Sequence, residues 1–503
     1  MHANPLTALT TQEDHSGEFY RTKFQIKVFV FCLNSLRCSI FELTIDLSMM
    51  IIYISLLVII LTILWKKGKY FIFGFTLPGP PGLPLLGNLL SFRTRHLNKF
   101  FENIFENLNI YGHVVRFWLG PILLILVSGP DEIAKIVEND KIGNRGVYSK
   151  TILGPMFRNS LLCMDVNSWR PHRKIVSAAF HIKILEKFVD NFAKNSMILT
   201  DRLKQFADGS TAVDIAPYLC YCTLDIISET CFAFEIKAQV NNDPNPLANI
   251  KTITDISTLR VTDPLLIFDW IFNFTKLAKK YNAAVKYYHD LIRKVIQKKT
   301  QSGSYHPVGS KPTLIDLLIE NGELSHDEIL GEVSSIGGAG TETTATACCF
   351  VLAMLGEHQD VQEKVLEEQK RIFSDDIFRP VDSQDLTSMV IPSGASMLIA
   401  AYHTHRDPKY FPEPDRFDPE RFTSENVAGR HPYAFIPFGI GRRMCVGRVF
   451  SIMEAKTILS TVLRYYHIKE VEGGIEGLQR DLHVSIVLTA SKGVKLKFLP
   501  RTY

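Results

Sequence analysis

The sequence predicts a mainly α-helical protein with a minor β portion. Three observations carry that expectation. Most of residues 150–300 has helical spacing of its apolar side chains, and no repeat of 20–50 residues interrupts it. Ser325-His326-Asp327-Glu328 has the S-x-x-E pattern of a capping box and opens a long apolar helix through about Leu355. Strand-like stretches are His113–Ser128 and, near the C-terminus, Leu482–Leu488 and Val494–Leu499, which makes the sheet portion minor. With 503 residues, of which 46% are hydrophobic and 21% charged, the chain can bury a large core.

From the N-terminus, Leu47–Trp65 contains no charged residue and meets the lower length limit of a membrane span, followed at once by Lys66, Lys67 and Lys69. That charge places the rest of the chain on the cytoplasmic side. A cleaved signal peptide has a shorter apolar core and a small-residue cleavage site, so 49–66 is expected to be an anchor. Leu77-Pro78-Gly79-Pro80-Pro81-Gly82-Leu83-Pro84 is neither helix nor central strand, which makes 67–88 a stiff, extended hinge. His113–Ser128 turns at Gly120-Pro121 between two strands, and Gly129-Pro130-Asp131 starts a short helix. Gln301–Lys311 is expected to be an exposed loop.

Net charge is +4 with no long Lys/Arg tract, so nucleic acid is not an implied partner. The nine cysteines include no C-x-x-C pair or zinc spacing. Cys220, Cys222, Cys348 and Cys349 lie in apolar, helix-like surroundings and are expected to pack in the core of a protein kept reduced.

Pro437-Phe438-Gly439-Ile440-Gly441-Arg442-Arg443-Met444-Cys445-Val446-Gly447 is the most informative stretch. Its glycines permit a tight turn and close approach to a flat ligand, and Arg443 can reach a carboxylate. A helix-compatible run, Val446–Leu463, follows Cys445 and would stabilise a thiolate there. A lone cysteine is more often an inert core residue, but a thiolate, a cation and a flat apolar approach together suit a haem.

The pattern F-x-x-G-x-R-x-C-x-G, from Phe438 through Gly441, Arg443 and Cys445 to Gly447, resembles the haem-ligand signature of the cytochrome P-450 monooxygenases, with every fixed position filled. Trp169-Arg170-Pro171-His172-Arg173 is similar to that family's W-x-x-x-R. Residues four apart share a helix face, so Trp169 and Arg173 can both address a haem propionate. In isolation the motif is equally well explained by a packed Trp beside a surface Arg. His172 is taken as structural or solvent-facing.

Within the long helix, Gly337-Gly338-Ala339-Gly340-Thr341-Glu342-Thr343-Thr344 resembles the family's [AG]-G-x-[DE]-T-[TS], its oxygen-binding kink. Three glycines in a helix cost about 1 kcal/mol each against alanine, and a ligand pressed on the backbone would compensate. The resemblance makes Gly340 cofactor-facing and Glu342 and Thr343 an acid–alcohol pair that delivers protons to oxygen. Trp169–Phe188 and His403–Phe422 look like the family-4 clan. Many of its members have Glu where this chain has Ala339, and that Glu esterifies the haem; Ala339 implies haem b held non-covalently apart from the Cys445 thiolate.

The pattern breaks once. Phe417–Phe422 is similar to the family's F-x-P-E-R-F, whose arginine meets an E-x-x-R pair on an upstream helix. Here Met389 runs straight into Val390, and a few tens of residues expected there, that helix included, are absent. Glu368 and Arg371 have the right spacing in the wrong context and are expected to be a surface pair. Arg421 would lose its buried partner, a loss of about 3–5 kcal/mol. A skipped exon or a truncated protein would account for the gap. The family's anchor begins near its initiator methionine, so 1–48 is expected to be an upstream extension or gene-model artefact, with a genuine leader as the competing reading. Residues 89–503 would form the haem-binding catalytic domain.

The resemblance implies a monooxygenase that inserts one atom of O2 into an apolar substrate such as a fatty acid, lipid signal or xenobiotic. The chain has no G-x-G-x-x-G or P-loop. Electrons would come from an NADPH-cytochrome P-450 reductase, with cytochrome b5 as a second partner, at the endoplasmic reticulum membrane. Arg442, Arg443 and Arg448 could form part of a cationic docking face. The alternative is a non-catalytic, haem-deficient protein lacking the E-x-x-R helix. A haem isomerase or dehydratase is disfavoured by Glu342 and Thr343.

Overall fold

The computed structural model describes residues 49–58, 62, 68, 70–83, 86–92, 97–120, 122–139, 143–263, 265–301, 312–372, 396–484 and 486–501. The chain divides into a unit ending at Phe73 and a larger unit, Gly74–Tyr503. In the first, Met49–Val58 is an apolar helix with its large side chains exposed. Most of the expected anchor beyond Val58, the loop at 302–311 and the Met389/Val390 junction lie outside the described residues.

The larger unit is predominantly helical. Its main helices are α1 (Leu97–Tyr111), α2 (Pro130–Glu138), α3 (Val147–Phe157), α4 (Val166–Ala179), α5 (Val189–Leu203), α6 (Ala216–Phe232), α7 (Asn245–Thr262), α8 (Lys276–Gln301), α9 (Leu314–Glu320), α10 (His326–Glu357), α11 (Gln359–Ile372) and α12 (Arg448–Tyr465). Strands β1 (Val114–Leu119) and β2 (Ile122–Val127) form the expected hairpin around Gly120, and β4 (Ser396–Ile399) pairs parallel to β2. A second sheet has the order β3–β8–β5, from Ala212–Asp214, Lys495–Pro500 and Tyr466–Val471; Leu482–Val484 and Leu488–Ala490, β6 and β7, form a separate hairpin.

α10 is the axis of the core. Ser325 caps it through the predicted box, its Oγ accepting from the Glu328 amide at 3.3 Å while Glu328 Oε2 accepts from the Ser325 amide at 2.9 Å. It is the one helix among the described residues long and apolar enough to cross a membrane, but half of its most apolar stretch is buried inside the protein. It packs along α6, where Cys348, Cys349 and Leu352 meet a core containing Cys222 and Ile226. The cysteines thus pack as expected, and no disulfide is present among the described residues.

Two of the glycines of α10 are explained by packing. A Cβ on Gly338 would lie 2.9 Å from the Phe157 ring, and one on Gly340 would lie 2.8 Å from Ile227 Cδ1. Close contact with α3 and α6 requires these residues to be small. The helix is continuous from His326 to Glu357.

Only part of the expected 67–88 hinge is extended: residues 70–76 are helical, whereas 77–83, where the prolines lie, is not helix and is docked. The Arg116 amide donates to Pro78 O at 2.8 Å, Arg116 Nε to Leu77 O at 3.0 Å, and Asn88 Nδ2 to Pro81 O at 2.9 Å. Prolines supply carbonyls but no amides, so β1 and Asn88 provide the donors.

Candidate haem site

Cys445 is an exposed residue at the end of a tight turn. Its amide donates to Phe438 O at 3.0 Å, closing the loop around Gly439 (φ +67°) and Gly441 (φ +73°). Gly441 answers two demands: its left-handed backbone, and α2, since a Cβ there would stand 2.4 Å from Val137 Cγ1. Gly439 has open space in front of it. A Cβ on Gly447 would lie 4.0 Å from Cys445 Sγ.

α12 begins at Arg448 with Gly447 as its cap, so Cys445 stands outside the first turn and not at the helix start the sequence implied. The electrostatics follow. Desolvation of Sγ pushes the thiol above its ordinary pKa, while the Gly447 amide and Arg173 pull it down without overcoming that effect. A metal cation is what would fix the thiolate form.

Three predicted residues converge beside the loop. Arg173 Nη1 donates to Met444 O at 2.8 Å, next to Cys445. Arg443 Nε, Nη1 and Nη2 donate to the carbonyls of Gly143, Leu161 and Met164 at 3.2, 3.2 and 2.8 Å. Trp169 is buried between them, its ring 4.6 Å from the Arg443 guanidinium carbon and 5.9 Å from that of Arg173. Three of the five N–H groups of Arg443 are engaged, which leaves two for an anion.

Arg145 joins this group and was missed from sequence. Its Nε is buried without a partner, and burial lowers its pKa. Burial and the nearby Arg145 bring Arg443 down to about 10. No carboxylate forms an ion pair with Arg145, Arg173 or Arg443 among the described residues. Cations crowded and desolvated in this way fit a dianionic group such as a pair of haem propionates. Arg145 lies in Asn144-Arg145-Gly146, which carries no motif.

His172 is buried rather than solvent-facing, with Nδ1 2.9 Å from Glu332 Oε1 and Nε2 3.5 Å from Glu328 Oε1. Glu342 and Thr343 lie on α10, which packs against α12. Thr343 is exposed, and its hydroxyl donates to Ala339 O at 2.7 Å. Burial pushes the Glu342 carboxyl above its usual range; Lys251 on α7 opposes this and Asp255 adds to it. No hydrogen bond joins either residue to the cysteine loop among the described residues.

Arg421 has no E-x-x-R partner among the described residues but finds others. Its guanidinium is not orphaned: it donates to the carbonyls of Pro412, Glu413 and Arg416, while its own carbonyl accepts from Arg430. The side chains of Glu368 and Arg371 lie outside the described residues.

The family model described as Cytochrome P450 matches residues 77–390 and 380–498. Cytochrome P450 4c3 of Drosophila melanogaster is 30% identical over 485 aligned positions, covering 84% of this chain and 89% of that protein. Cytochrome P450 4d2 of the same fly is 30% identical, covering 84% and 94%, and human Cytochrome P450 4V2 is 30% identical, covering 83% and 88%. The family match comes in two pieces meeting at 380–390. Since 485 aligned positions take up only 84% of 503 residues, about 60 of them face no residue of this chain. Matches of this extent, on both sides of that break, show that the chain belongs to the cytochrome P450 family.

Proposed function

We propose that this monooxygenase is a membrane-anchored, endoplasmic-reticulum enzyme that oxygenates an apolar small molecule of the fatty-acid, lipid-signal or xenobiotic class. It would draw electrons from an NADPH-cytochrome P-450 reductase, with cytochrome b5 as an accessory donor. The observation that carries the haem reading is the juxtaposition of an exposed Cys445 with a desolvated arginine cluster that has no carboxylate partner. Cys445 Sγ is the iron ligand. Trp169, Arg173, Arg443 and Arg145 hold the propionates of a haem b that Ala339 leaves free of an ester bond.

The haem, when bound, supplies O2 activation, and its thiolate ligand favours O–O cleavage. The side chains of α10 supply protons. Glu342, its carboxyl pushed above its usual range by burial, is the proton-carrying group, with Lys251 and Asp255 on α7 as its charged neighbours. Thr343 donates to Ala339 O and keeps its lone pairs as acceptors on the exposed side of the helix. Arg442 and Arg448, exposed beside Cys445, suit an acidic electron donor.

The two-piece family match supports a deletion at Met389/Val390, in the segment that should carry the E-x-x-R helix. The satisfied Arg421 supports a fold that tolerates it. The test is reconstitution with purified reductase and a panel of fatty acids. NADPH- and O2-dependent product should form, and Glu342→Gln should lower turnover about 10²-fold. Product that forms without NADPH would overturn the monooxygenase assignment for this chain.

A further inference from the structure

We propose that His172 and Glu332 are positioning residues for the propionate cluster: from α10 they fix the Leu161–Met164 carbonyls and helix α4 where Arg443, Trp169 and Arg173 require them. This rests on the haem reading above. Glu332 is fully buried on α10. Its Oε1 accepts from the Leu161 amide at 3.0 Å and lies 2.9 Å from His172 Nδ1. The carbonyl of that same Leu161 receives Arg443 Nη1, and Met164 O receives Arg443 Nη2. His172 lies on α4 between Trp169 and Arg173 in sequence and meets Glu328 and Glu332 of α10.

Glu332 thus reaches the cysteine loop through two main-chain bonds, Glu332–Leu161 and Leu161–Arg443, and reaches α4 directly through His172. A carboxylate without exposed surface persists only where charge and donors compensate its desolvation. Besides Ser335 on α10 itself, at 3.5 Å, the compensating groups belong to the two segments that present the propionate-facing side chains. An isolated core ion pair would have no such selectivity of partners.

The charge state matters to this device. Glu328 and Glu332 on α10 hold the His172 imidazole above its usual pKa, and Glu332 contributes most. From the segment before α4 come Cys163, pushed up to about 11 by burial, and Arg145 beside it. α9, packed on α4, brings Asp316, paired with Lys299 at 2.9 Å, and the exposed Glu320. Because the folded pKa is raised, the imidazolium pairing is fully present below the unfolded value and lost as pH rises through the folded one. Its loss removes the counter-charge from a Glu332 carboxyl that burial already pushes above its usual range against the pull of His172.

The test measures haem release from the full chain in membranes to excess apomyoglobin, from neutral to mildly alkaline pH. Arg170→Ala, an exposed change on the same helix, is the reference. His172→Ala and Glu332→Ala should release haem about tenfold faster than wild type, the scale of outer-shell partners at a metal site. Glu332→Gln keeps an acceptor for both donors and should stay within about threefold. The wild-type rate should climb with pH, whereas His172→Gln should be flat. Should the alanine variants lose protease resistance, His172→Gln carries the decision, because it keeps the site filled. Wild-type release rates in both alanine variants, or a wild-type pH profile in His172→Gln, would overturn the proposal and leave the haem reading standing. A wild-type chain that takes up no haem would overturn both.

Discussion

Cys445 is defined by its neighbours more than by its own chemistry. Its turn presents Sγ on an open side, but desolvation opposes the thiolate, so ligation depends on the metal to remove the proton. Cys445→Ala should therefore abolish the thiolate-type spectrum while leaving thermal stability nearly unchanged, since an exposed side chain contributes little packing. An unchanged haem spectrum would refute the ligand assignment. Trp169, Arg173 and Arg443 were legible in sequence because two motifs fix them, and the structure brings them within contact of one another. Arg145 was not legible, because nothing in Asn144-Arg145-Gly146 distinguishes it from a surface arginine. Glu332 left one faint signal: a carboxylate in an otherwise apolar stretch of α10, where only partners from elsewhere in the chain can offset its burial.

At the level of elements, the ends of α10 followed from local chemistry and its middle did not. The capping box is a four-residue signal, and it places the helix start. The reason for Gly338 and Gly340 depends on α3 and α6, which lie far away in sequence. Gly338→Val should cost about 1–3 kcal/mol through collision with Phe157, seen as a lowered midpoint in thermal unfolding. The stretch ahead of the cysteine loop has its own sensitivity. His405 Nε2 accepts from the Ile436 amide at 2.8 Å, and burial lowers the His405 pKa from 6.5 to about 4. A depressed folded pKa means that this stability is present above 6.5 and is lost as pH falls toward about 4. The wild-type unfolding midpoint should drop across that window. His405→Gln, which keeps a neutral acceptor for Ile436, should lose part of the slope; an identical slope would contradict this role.

For the whole molecule, fold class and part of the strand placement were visible in periodicity: hairpin β1–β2 and β8 fall close to where alternation puts them, whereas Leu482–Leu488 holds the turn of hairpin β6–β7 rather than one strand, and β3 and β5 were not foreseen. The proline-rich part of the hinge was recognised as extended, but its docking on β1 requires donors that its own sequence cannot reveal. The division of the family match at 380–390 is the feature on which function turns. Arg421 finds main-chain carbonyls, so the loop it serves keeps its charges satisfied. The central claim is that this 503-residue chain assembles a thiolate-ligated haem despite the break. The most direct measurement is the carbon-monoxide difference spectrum of the reduced chain expressed in membranes. The account predicts the far red-shifted band of a thiolate-ligated haem, lost in Cys445→Ala. A band only at the shorter wavelength of a neutral ligand, or no band, would contradict it.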